Sequence, residues 1–168
     1  MTWILGISCF YHDSAAALLK DGVLVAAASE ERFTRIKADP GFPRHAIDFV
    51  LGVAGIDIEQ VDHLAFYDKP MLKLERILLS HLQSFPRSKA QFIAAIPLWM
   101  KEKISIRRVV GKELNWKKKP VLFAEHHVSH GASSFFSSPF EEAAILTVDG
   151  VGEWATATQG VGRGNTIE

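Results

Sequence analysis

Two segments far apart in the chain share one pattern, and it limits the folds open to the chain. Ile4-Leu5-Gly6-Ile7-Ser8, a polar turn and Ala15-Ala16-Ala17-Leu18 is echoed by Ile145-Leu146-Thr147-Val148-Asp149, a polar turn and Ala155-Thr156-Ala157-Thr158. Each reads as an apolar strand, a polar bend and a strand of small residues. One reading is two unrelated hairpins, since any hairpin fits that description. The other is a duplicated lobe whose second copy has only begun at Glu168. Folds of that kind hold a nucleotide or acyl phosphate between the lobes, where small residues after a turn let backbone N–H groups approach an anion.

The composition can support such a lobe. The 168 residues are 48% hydrophobic and 23% charged, close to globular averages. Nineteen acidic and nineteen basic side chains leave zero formal charge, so no overall field attracts nucleic acid or anionic lipid. A lone Cys9 fits a reducing compartment. The N-terminus has no basic n-region, and the apolar stretch from Phe92 to Met100 is too short to span a bilayer and contains Pro97. A cytoplasmic protein with neither a membrane nor a nucleic acid as partner is expected.

Hydrophobic periodicity predicts strands at Trp3–Ser8, Ala15–Leu19 and Val23–Ser29, with Asp21-Gly22 as a hairpin turn and a three-strand antiparallel meander as the product. Ala46, Ile47, Val50, Leu51 and Ala54 recur at helical spacing between Pro43 and Gly55. Further strands are predicted at His63–Tyr67, Pro120–Glu125, Ala143–Val148 and Trp154–Thr158. Helices are predicted from about Met71 to Leu114, broken near Pro86 and Pro97, and over His127–Phe136. The basic stretch from Lys101 to Lys119 carries interleaved apolar residues and reads as an amphipathic helix with a solvated face.

The strongest chemical signal is Glu125-His126-His127-Val128-Ser129-His130. His126 and His130 are four apart, so on a helix both imidazoles leave one face, as metal sites built on one helix require. His127 points about 100° away and suits a core role. A helix start whose histidines bond backbone groups is the alternative. Asp149, at the C-terminal end of an apolar strand, is placed to face the crevice above a sheet; Asp149-Gly150 also reads as a plain turn. Two imidazoles and a carboxylate suit a divalent metal such as Fe(II), with Zn as an alternative. Glu153 is either a supporting carboxylate or solvated.

His12-Asp13-Ser14, on the first turn, has the makings of a general base with an orienting carboxylate, or of a purely structural turn. Arg32, Arg35 and Lys37 precede a Pro/Gly loop and read either as a phosphate grip or as solvated cations.

Taken together, these blocks resemble one family. Ile4-Leu5-Gly6-Ile7 leading to His12-Asp13-Ser14-Ala15-Ala16, Ser29-Glu30-Glu31-Arg32-Phe33-Thr34-Arg35-Ile36-Lys37, the stretch Glu125 to Phe136 and the stretch Ala144 to Trp154 occur in the order found in NodU/CmcH O-carbamoyltransferases. The resemblance implies an α/β, actin/hexokinase/Hsp70-like (ribonuclease H-like) lobe with a mixed sheet and helices, plus the first hairpin of a second lobe. Residues 1–142 would form the first lobe and 143–168 the start of a truncated second one. A C-terminal YrdC-like domain, absent from these residues, or a partner chain supplying it, would make carbamoyl-adenylate from carbamoyl phosphate and ATP. The resemblance also implies metal ligands at His126, His130 and Asp149, and catalytic or carbamoyl-contacting roles for His12 and Lys37. Asp13, Ser14, Arg35, Gly150 and Gly152 are the nucleotide-contacting candidates. The implied reaction is metal-assisted transfer of a carbamoyl group to a hydroxyl of a small molecule or sugar, with this chain inactive alone. Competing readings are a tRNA threonylcarbamoyl-transferase-like or kinase activity, and a non-catalytic module that binds nucleotide or metal.

Overall fold

The computed structural model describes residues 1–90, 92–94, 106–116, 119–150 and 152–168. The Pro97 break, Trp99 and part of the basic Lys101–Lys119 segment lie outside these residues. The chain divides into two compact units, Met1–Phe66 with Met100–Phe123, and Tyr67–Trp99 with Ala124–Glu168.

The first unit is a five-stranded mixed sheet in the order β3-β2-β1-β4-β5, so the α/β expectation is met. β1 (Trp3–Ser8) lies at its centre, antiparallel to β2 (Ala15–Lys20) and parallel to β4 (His63–Phe66). The period of two explains the register: Leu5 opposes Leu18 and Ile7 opposes Ala16, and all four are buried. Asp21 and Gly22 turn the chain into β3 (Val23–Ser29) with φ of 50° and 85°, the pair of positive angles that a tight hairpin needs. β3 ends the sheet, with Val23 and Leu24 exposed. The short β5 (Val121–Phe123) runs parallel to β4 at the other end.

A single turn, α1 (Glu31–Thr34), leads to α2 (Arg44–Ala54), which buries Ala46, Ile47, Val50 and Leu51 and ends at Gly55. Pro43 precedes α2 and has no side-chain acceptor for the helix's free N–H groups. Glu30 supplies it from elsewhere. Its carboxylate accepts the backbone N–H of Ala46 at 2.8 Å and of His45 at 3.2 Å, and the His45 ring nitrogen Nδ1 at 2.6 Å. Anion, free N–H groups and helix dipole match, so Glu30 can be buried as a charge. Asp39 is held below the ordinary carboxylate pKa by the Gly41 N–H and the Thr34 hydroxyl, which both donate to it. α4 (Ile106–Glu113) buries Ile106 and Val110, with Leu114 buried one turn further on.

The second unit contains α3 (Pro70–Gln83), α5 (His126–Phe135) and a three-stranded antiparallel sheet of β6 (Glu142–Val148), β7 (Ala157–Arg163) and β8 (Thr166–Ile167). The strand expected at Trp154–Thr158 is displaced. Residues up to Thr156 close the turn, where the Asp149 N–H donates to the Thr156 carbonyl. The strand then runs on through Gly160 and Gly162. A Cβ at Gly162 would stand 2.6 Å from the Phe135 ring, so glycine here is what lets α5 lie close against the sheet. Strand, eight-residue turn, strand and two-residue turn in this unit echo the β1-β2-β3 meander of the first. No helix among the described residues is long and apolar enough to cross a membrane.

Replacing Glu30 by Ala leaves the α2 N–H groups without their acceptor. We expect a loss of about 1.5–3 kcal/mol of unfolding free energy, measured by urea denaturation. Retention of wild-type stability would show that water caps α2 equally well.

Candidate functional site

α5 and β6 run antiparallel against each other, and their periodicities bring matched residues together. Ile145, Thr147 and Asp149 lie two apart and share one face of the strand end. Ile145 packs where Gly131 leaves room, with a Cβ there 3.3 Å from its Cγ2. Thr147 meets His127, and Asp149 meets His126.

His126 and His130 do project from one helix face. His126 Nε2 lies 2.6 Å from Asp149 Oδ2 and 3.2 Å from His130 Nε2, and His130 Nε2 lies 3.8 Å from Asp149 Oδ2. By plane geometry these separations place a point about 1.9 Å from all three atoms. An ion slightly off that plane would therefore meet all three donors at ~2.0–2.1 Å, an ordinary metal–imidazole or metal–carboxylate distance. His126 is largely buried, and its Nδ1 has no hydrogen-bond partner among the described residues. Burial, and then the neighbouring His126 ring, push the His130 pKa below its ordinary value, against the opposing pull of Asp149. His130 is thereby kept neutral near pH 7, the state with a lone pair to give.

His127 is buried and satisfied at both nitrogens. Nε2 lies 2.7 Å from the Ala155 carbonyl, which can only accept, so Nε2 carries a proton. Nδ1, in the neutral ring, then accepts from the Thr147 hydroxyl at 2.6 Å, and Thr147 accepts in turn from Thr158 at 2.6 Å.

Gly152 is buried in the same turn; a Cβ there would overlap the Ala155 carbonyl and stand 2.7 Å from His127 Nε2. Gly150 is exposed, and no atom of the described residues beyond its chain neighbours lies within 4 Å of the equivalent position. Glu153, one alternative for which was a solvated side chain, is instead buried and accepts the Lys69 backbone N–H.

The first unit holds the remaining candidates. His12 Nδ1 donates to Asp13 Oδ2 at 2.5 Å, both side chains being exposed. With Nδ1 carrying the proton of that bond, Nε2 is the nitrogen whose lone pair the neutral ring offers. Ser14 is fully buried: its hydroxyl donates to the Gly41 carbonyl at 2.6 Å, its N–H to Asp39 and its carbonyl accepts from Glu30. Its polar groups hold the turn against the loop at Asp39 and Gly41. Arg35 and Lys37 are exposed on the loop after α1, with Arg35 at φ 60°. Sequence reasoning missed Glu30, Lys69 and Arg76, whose partners lie 15 to 84 residues away and leave no local signature.

A family model described as carbamoyltransferase N-terminus matches residues 3–168. An uncharacterized protein of Synechocystis sp. is 53% identical over 174 residues, covering 99% of this chain and 28% of the relative. The nodulation protein NolNO of Sinorhizobium fredii is 35% identical over 164 residues, covering 95% of this chain and 22% of its own length. The chain thus spans under a third of either relative. Among solved structures, YeaZ from Pseudomonas aeruginosa superposes on all of this chain and 64% of its own, at a TM-score of 0.47 and 14% identity.

The two glycines of the turn predict opposite outcomes. Gly152→Ala drives a methyl into backbone and should cost about 1–3 kcal/mol in thermal or urea unfolding. Gly150→Ala meets open space and should stay within about 0.5 kcal/mol of wild type.

Proposed function

Since the chain belongs to the carbamoyltransferase N-terminal family, we propose that it forms part of an O-carbamoyltransferase whose metal centre is His126, His130 and Asp149. The observation that carries this reading is the convergence of those three donor atoms within 4.8 Å of one another. The donor set, two imidazoles and a carboxylate with one side left open, suits Fe(II), with Zn also accommodated. A divalent ion held there would supply Lewis-acid polarisation of a carbonyl or phosphoryl oxygen.

The chain's own residues do the rest. In the proposed transfer, a hydroxyl oxygen of a small molecule or sugar bonds to the carbamoyl carbon of carbamoyl-adenylate. The bond from that carbon to the phosphate oxygen breaks, and AMP leaves with the electron pair. His12 takes the hydroxyl proton at Nε2, the nitrogen left unprotonated by the bond from Nδ1 to Asp13. Asp13 orients the ring and offsets the charge it gains. Lys37 balances negative charge developing on oxygen, and Arg35 meets nucleotide phosphate; both are exposed cations on the loop after α1. Gly150, with open space around it, lets backbone approach the nucleotide. Carbamoyl-adenylate is formed from carbamoyl phosphate and ATP by a further domain or a partner chain.

Two measurements test this. Elemental analysis of the purified protein should find one divalent ion per chain, lost in the His126→Ala, His130→Ala double variant. Unchanged metal content in that variant would remove the centre. In the full-length enzyme, His12→Ala should lower kcat for carbamoyl transfer by about 10²–10⁴. An unaltered kcat would remove His12 as the base.

A further inference from the structure

The two elements that carry the proposed ligands are both tied to a third. Arg76 on α3 donates an NH1 proton to the Gly152 carbonyl at 2.6 Å. Lys69 immediately precedes α3, and its contacts reach the same two elements. Its Nζ meets Glu125 Oε1 at 2.8 Å, and its backbone N–H donates to Glu153. Glu125 immediately precedes His126, at the start of α5, and Gly152 and Glu153 follow Asp149 within the 149–156 turn. Ser129, on α5 between the two histidines, donates to the Tyr67 carbonyl at 2.8 Å, just ahead of α3.

We propose that Arg76 is a positioning residue for the His126–His130–Asp149 centre, acting through the Gly152 carbonyl. The proposal rests on the metal reading given above. His127 fixes the far limb of the turn through Ala155, and Arg76 fixes the limb that follows Asp149. The Lys69–Glu125 pair anchors the start of α5 to the start of α3. α3 thus sets the spacing between the carboxylate and the imidazoles. That spacing has little latitude, because donor atoms 2.6–3.8 Å apart reach one ion only while each stays within bonding distance of it. A guanidinium suits this positioning role, being always charged and holding its donors fixed in a plane.

The test is a Co(II) titration of the intact protein, followed by visible d–d absorption. Wild type should saturate at one equivalent. Arg76→Met keeps the length of the stem but removes the donors; affinity should fall about 10–100-fold, and the band shape at saturation should change. Arg76→Lys, with a charged donor of similar reach, should recover most of the affinity. Should Arg76→Met fail to fold, Arg76→Gln against Arg76→Lys carries the same comparison, with Gln as the weak binder. Wild-type affinity and an unchanged spectrum in the donor-deficient variant, even with a lowered Tm, would overturn the positioning role while leaving the centre intact. Failure of wild type itself to bind Co(II) would instead remove the centre, and the proposal with it.

Discussion

The close approach of α5 to the β6-β7-β8 sheet is the constraint on which the candidate centre depends. It is possible because glycine lies on both sides of the contact: Gly131 on the helix leaves room for Ile145, and Gly162 on the strand leaves room for the Phe135 ring. With the axes drawn together in this way, helix and strand periodicities run in step for a short distance. Ile145 falls under Gly131, Thr147 on His127 and Asp149 on His126. A Cβ at Gly162 would force the Phe135 ring and the strand apart, whereas one at Gly131 asks Ile145 to give by only a few tenths of an ångström.

The first unit solves a related problem with a buried charge. The turn bearing His12 and Asp13 is exposed, and exposed turns hold their shape only if something behind them is rigid. Ser14 provides that backing. It ties the turn to the loop at Asp39 and Gly41 and to the backbone of Glu30, whose carboxylate in turn caps α2. Burying an ionised carboxylate is costly unless donors surround it, and here three N–H groups do. The start of α2, the loop after α1 and the first turn therefore share one polar knot.

Much of this is legible from local pattern. Alternation at Leu5, Ile7, Ala16 and Leu18, the Asp21-Gly22 turn and the amphipathic run ending at Gly55 specify their elements through neighbours a few residues away. The i, i+4 spacing of His126 and His130 and the strand-end position of Asp149 likewise mark the cluster in the sequence itself. What escapes is set by contacts distant in sequence. Glu30 looks like one more charge in a charged segment until α2 offers it N–H groups. Glu153 looks able to sit in water, and β7 begins later than its small residues suggest because the turn before it is pinned by His127. Nothing near Arg76 in the chain marks it, since its partner carbonyl is 76 residues away.

The fixed tautomer of His127 has a consequence for denticity. Three adjacent imidazoles would form a nitrogen-rich chelate favouring copper over its neighbours in the first transition row. Ala155 holds the His127 Nε2 proton, and Thr147 takes the lone pair of Nδ1, so this ring has no electron pair left to offer. The tautomer thus agrees with the direction of the ring, and the candidate donors remain a mixed nitrogen–oxygen set of His126, His130 and Asp149.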